Sequence, residues 1–135
     1  MEIAMPKPKV LLVGLEPTLI NFSDAAYAAF PGMTAEKVQA GLDKDVAALN
    51  ALGYAAELCL VDFGKTAEAV LRERLENQPY DCLLIGAGVR LIAQNTPLFE
   101  KLINVAHDRA GKARLCFNTG PTDSADAVRR WISNA

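Results

Sequence analysis

Histidine is almost missing from this chain: it occurs once, as His107. That residue sits late in a helical stretch, at the sequence position farthest from the loops where a site would form, so a general-base role is not expected of it. No Ser/His/acid set, Cys/His pair or metal-ligand cluster can be assembled around it either. Cysteine is sparse as well. Cys59, Cys82 and Cys116 each lie inside an apolar run, and no pair has zinc or redox spacing, so they read as small buried hydrophobes. An odd cysteine count with no secretion signal also argues against a disulfide framework. Positive charge does not dominate: 14 Lys and Arg face 16 Asp and Glu, giving a net charge of -2 and leaving no field to attract nucleic acid or an anionic bilayer. No apolar run approaches the roughly 20 residues of a membrane span. The first ten residues carry Pro6 and Pro8 where a signal core would be apolar. The expectation is a cytoplasmic protein without nucleic-acid or membrane partners, metal or cofactor.

What is present is ordinary globular material. With 135 residues, 51% apolar and 22% charged, the chain has enough apolar mass for one core and no room for two. A single α/β domain over residues 1–135 is expected, with a helical insert at about 17–33.

Lys9-Val10-Leu11-Leu12-Val13-Gly14 is a short apolar run closed by glycine, the pattern of a strand buried on both faces. From Thr34 the apolar positions Val38, Leu42, Val46, Leu49 and Leu52 recur at helical spacing, with Thr34 as N-cap and Gly53 past the end. The cycle repeats. Leu58 to Val61 predicts a second strand, followed by a helix capped by Thr66 with Ala67, Val70, Leu71 and Leu75 inward. Cys82 to Ile85 predicts a third, followed by a helix opened by Thr96-Pro97 and closed by Gly111. Leu115 to Asn118 predicts a fourth, with a last helix from about Ser124 through Val128, Trp131 and Ile132. Alternating strands and helices of this kind give right-handed βαβ units, hence a three-layer α/β/α fold around a four-stranded parallel sheet. The order 2-1-3-4 is preferred because it lets helices cover both faces, with 3-2-1-4 as the alternative.

The stretch from 15 to 33 exceeds an ordinary connection. Phe22 to Phe30 reads as a short helix with Ser23 as cap and Phe22 stapled on Tyr27, ended by Pro31-Gly32. Its role is to pack, to cover a site, or to meet another subunit.

In open parallel sheets ligands sit beyond the carboxyl ends of the strands, where the strand order reverses. That rule nominates Glu16, Asp62, Gly86, Gly88, Arg90, Asn118 and Thr119 as ligand-binding residues, and the 2-1-3-4 order sets the Glu16 and Arg90 loops face to face. Arg90 follows a buried strand and suits a carboxylate or phosphate as a bidentate clamp; an ion pair with Glu16 or Asp62 is the structural alternative. Gly86-Ala87-Gly88-Val89-Arg90-Leu91 resembles a dinucleotide fingerprint but has Leu91 at the third glycine and is expected to precede its helix by several residues. Gly64-Lys65-Thr66 ends like a P-loop, yet Cys59, where the first glycine belongs, is in a strand. Asn118 and Thr119 either offer neutral hydrogen bonds to the same ligand or cap the last helix.

In pattern and size the chain resembles receiver and flavodoxin-like domains. Of the receiver set only Glu16 and Asp62 stand in comparable loops, and no lysine follows the fourth strand; Glu16-Pro17-Thr18-Leu19 is not a flavodoxin phosphate loop. Asp81 to Arg90 and Cys116 to Thr119 also resemble a family of small bacterial proteins, a resemblance that implies no activity. Three functional expectations follow: a non-catalytic module for a small anion or a protein partner; a small enzyme with Asp62 or Glu16 as base and Arg90 as clamp; or a homo-oligomer joined through Phe22, Tyr27, Phe30 and Met33.

Overall fold

A computed structural model describes residues 6–133. Its elements are β1 (Lys9–Leu15), 3-10 turns at Pro17–Leu19 and Ala25–Tyr27, α1 (Ala35–Ala51), β2 (Ala55–Val61) and α2 (Ala67–Asn77). After them come β3 (Cys82–Ile85), α3 (Ala87–Arg90), a 3-10 turn at Ala93–Asn95, α4 (Thr96–Arg109), β4 (Arg114–Phe117) and α5 (Ser124–Arg129). All four strands are parallel, in the order β2-β1-β3-β4.

The pleat sorts β1 between two cores. Leu11, Val13 and Leu15 pack with Leu71, Leu98 and Leu102 from α2 and α4, while Val10 and Leu12 pack with Leu49 of α1, Tyr54 and Val128 of α5. Alternate side chains point to opposite faces, so a strand that is apolar throughout demands cover on both sides, and this one has it. Register sets Leu12 beside both Leu58 and Leu84, and Leu84 beside Cys116. All three cysteines are buried as free thiols. Cys82 and Cys116 lie on neighbouring strands with their sulfurs 3.4 Å apart, and the thiol-thiol contact followed by burial pushes the Cys82 thiol above its ordinary pKa.

Several local readings hold. The Thr34 hydroxyl accepts from the Lys37 N–H at 3.2 Å. Gly53 and Gly111 take φ of 101° and 60°, the left-handed conformation that ends α1 and α4. Phe22 meets Tyr27 edge to face at 5.5 Å.

Others are corrected. The cap in the insert is Asp24, whose carboxylate accepts from the Ala26 N–H at 2.9 Å, while Ser23 donates to Asn21; the segment makes 3-10 turns of three residues, too short for an apolar stripe. Thr66 donates its hydroxyl to Asp62 instead of accepting from α2. A turn of helix, α3, begins directly after Gly86, before the expected start at Thr96. The last helix ends at Arg129, which leaves Trp131 54% exposed.

Both flanks of the sheet are obstructed by side chains. On β2 the Asn50 carboxamide accepts from the Ala56 N–H at 2.8 Å, and the Arg74 guanidinium donates to the Leu58 carbonyl. On β4, Arg130 donates to the Phe117 carbonyl at 2.9 Å. Such devices keep foreign strands from adding to an edge.

Candidate functional site

The strand order reverses between β1 and β3, as the sequence led us to expect; the loops beside that crevice carry Glu16, Gly86, Gly88 and Arg90, while Asp62 follows β2 and Asn118 and Thr119 follow β4. Each is engaged close to home. The chain after β1 leans toward β2, where the Glu16 N–H donates to the Val61 carbonyl at 2.9 Å. The Glu16 carboxylate accepts from the Thr18 N–H and hydroxyl, both at 3.1 Å, capping the first 3-10 turn.

Asp62 stands where the P-loop fragment begins. Gly64, at a φ of 125°, turns the chain so that the N–H groups of Gly64, Thr66 and Ala67 converge, at 2.9 to 3.1 Å, on the Asp62 carboxylate. The Thr66 hydroxyl adds a bond at 2.8 Å. Bonds from Thr66, then Gly64 and Ala67, draw the Asp62 pKa down to about 2. The start of α2 therefore has the anion-holding geometry of a helix N-terminus, and the chain's own carboxylate occupies it.

Arg90 turns the other way, toward β4. Its Nε donates to the Ile85 carbonyl at 3.1 Å, one Nη donates to the Asn118 carbonyl, and the guanidinium lies over the Phe117 ring at 5.1 Å. Burial lowers its pKa, and Asp123 nearby offsets only part of that fall. No ion pair joins Arg90 to Glu16 or Asp62; among the described residues the one side-chain ion pair is Arg109 with Glu76. The arginine closes the seam between β3 and β4 by donating to carbonyls that the short strands leave over.

Asn118 is the centre of this rim. Buried at 7% exposure, it accepts at Oδ1 from the Ala87 N–H (2.8 Å) and donates from Nδ2 to the Ser124 hydroxyl (3.0 Å). Ser124 in turn donates to Asp45 of α1 at 2.8 Å. Burial raises the Asp45 pKa, and the serine bond works against that rise. A continuous polar chain thus runs from Arg90 through Asn118 and Ser124 to Asp45, tying α3, β4, α5 and α1 together. Thr119 donates its N–H and hydroxyl to Asp123 at 2.9 and 2.7 Å, and Gly120 adds a third donor at 3.0 Å. Partial burial opposes the Asp123 charge, but these bonds prevail and hold its carboxyl below the usual range.

The glycines complete the account. Gly86 donates its N–H to the Val13 carbonyl at 2.9 Å and opens α3, whose first N–H is the one taken by Asn118. Gly88 is exposed, its carbonyl accepting from buried Asn95 at 3.1 Å. Asp45, Asn95, Asp123 and Ser124 were not nominated from sequence. The Asp-Ser pair after a Gly-Pro turn was the available cap signal for two of them; the other two meet the rim only through tertiary packing.

Among exposed polar side chains such as Lys65 and Gln94, the rim also shows large apolar ones. Taken in sheet order, the loops after β2, β1 and β3 present Phe63, Leu19 and Leu91, and the insert adds Phe30, all between 44% and 58% exposed. These are four of the five large apolar side chains exposed among the described residues. A cleft of about 270 Å³ between Ala26 of the insert and the segment 91–94 adjoins Leu91.

The larger cleft, of about 520 Å³, lies at the opposite end of the sheet, between the turns that follow α2 and α4. No group of three or more metal-ligating side chains occurs among the described residues, and no helix there is long and apolar enough to cross a membrane. Compared with known proteins, the chain matches no family model, no curated protein and no solved structure.

Proposed function

We propose that this chain is a non-catalytic binding module that receives a partner protein on its carboxyl-end rim. The observation that carries the reading is the row Phe63, Leu19 and Leu91, with Phe30 from the insert, over loops whose Asp62, Arg90 and Asn118 side chains bond within the chain. Exposed apolar side chains gathered on one face mark protein contact surfaces, because covering them releases ordered water at no cost in unpaired polar groups. Arg90 as an anion clamp has less support, since its donors face carbonyls of its own sheet. The enzyme reading asks Glu16, Asp62 and Arg90 to converge, and each bonds within its own loop or toward β4. Within this proposal the module works in the cytoplasm, and its strand order is that of the first four strands of a flavodoxin-like sheet.

A photoreactive residue placed at Phe63 or at Leu91 tests the reading in cells that make the chain. Both positions are expected to trap the same protein, the same residue at His107 is expected to trap none, and Phe30→Glu with Leu19→Glu is expected to abolish the adduct. No adduct, or equal trapping from His107, overturns the proposal. An adduct of twice the chain's mass transfers the rim to self-assembly, a role in which Phe22 and Tyr27 are already engaged with each other.

A further inference from the structure

The cleft at the amino ends of the strands is a second surface, independent of the rim. It opens between the turn over 77–81, which leads into β3, and the turn over 110–114, which leads into β4, and its volume of about 520 Å³ is that of a small-ligand site. Its walls are apolar where Leu75, Tyr80, Ala113 and Ile132 line it. The Tyr80 hydroxyl bonds away to Glu57 at 2.7 Å, so the tyrosine contributes its ring and not a donor.

Three cations border this space, and they are not equivalent. Arg109 belongs to the last turn of α4, where a positive side chain complements the helix dipole, and it pairs with Glu76 at 3.5 Å. Its place is explained. Lys112 and Arg114 lie beyond that turn, where the dipole's field has fallen off, and both are exposed. Neither side chain has a hydrogen-bond or ion-pair partner among the described residues. The one carboxylate between the two turns, Asp81, accepts the Lys9 N–H at 2.8 Å. Lys112 lies in the turn that the Ala113 N–H closes on the Ala110 carbonyl at 3.1 Å, Arg114 opens β4 directly after it, and both border the cleft.

We propose that this cleft binds a phosphate monoester with a compact apolar body, Lys112 and Arg114 holding the phosphate and the Tyr80 and Ile132 wall covering the body. Two unpartnered cations match a dianion better than a single carboxylate, and a guanidinium beside an ammonium is a common phosphate-binding pair.

Titration of the whole chain with phenyl phosphate, phenylacetate and inorganic phosphate, followed by calorimetry or thermal shift, tests this. Phenyl phosphate is expected to bind at least about tenfold more tightly than either of the others, and Lys112→Ala with Arg114→Ala is expected to weaken it by at least about tenfold. Arg90→Ala is expected to leave the affinity as it is. Absence of saturable binding overturns the proposal, as does equal binding of inorganic phosphate, which removes the apolar wall from the site. Loss of binding in Arg90→Ala overturns it too, by moving the anion to the rim.

Discussion

At the carboxyl ends of the strands Asp62, Asp123, Arg90 and Asn118 fold back onto backbone groups, and phenylalanine and leucine are among the side chains left facing water. At the amino ends the arrangement is reversed: apolar side chains line a cleft, and Lys112 and Arg114 extend beside it without partners. The general expectation that parallel sheets bind ligands at their carboxyl ends rests on open N–H groups where helices begin. Here Thr34 takes an N–H in the first turn of α1, Asp62 takes the first N–H of α2, and Asn118 takes the first N–H of α3. At these three helix starts the chain itself takes donors that an outside anion would use, whereas α5 begins without a side-chain cap.

The comparison breaks most visibly at Asn118. Asn118→Ala leaves the Ala87 N–H without its acceptor and interrupts the chain from Arg90 to Asp45, and we expect a loss of about 3 kcal/mol in urea unfolding. A loss under about 1 kcal/mol would mean that the rim's polar network does not hold the β3-β4 end together.

A smaller and pH-dependent effect is expected at Asp62. Its pKa is depressed on folding from the ordinary 3.8 to about 2, so its charge stabilises the fold fully above the higher value and progressively less as pH falls toward the lower one. The difference in melting temperature between wild type and Asp62→Asn should therefore be constant near neutrality and close between about pH 4 and pH 2. A difference that stays constant down to pH 2 would deny the carboxylate its role at the start of α2.

The least effect on folding belongs to the other end. Lys112→Ala with Arg114→Ala should change stability by less than about 0.5 kcal/mol, because no internal partner is lost. A larger loss would show that these cations serve the fold, and the contrast between the ends would narrow.

Much of the fold was legible because its signals are local. Runs such as Val10 to Val13 and Cys82 to Ile85, each followed by glycine, identify buried strands without knowledge of their neighbours. Thr34, Pro97 and Gly111 mark helix ends by chemistry that acts within a turn. The site was legible only as a set of loops. That Asp62 turns onto amides two to five residues ahead is local but competes with Thr66, an equally good cap by type. That Arg90 reaches Asn118, or that Cys82 meets Cys116, depends on which strands lie side by side, and hydrophobic pattern alone leaves two orders open. Trp131 misled for a related reason: its spacing continued the apolar stripe of a helix that stops two residues earlier.

The obstructed flanks limit how copies of this protein can meet. A newcomer seeking to lengthen the sheet would first have to displace Asn50 and Arg74 on one side or Arg130 on the other, giving up bonds already made. Lateral growth of the sheet into fibres is thereby discouraged.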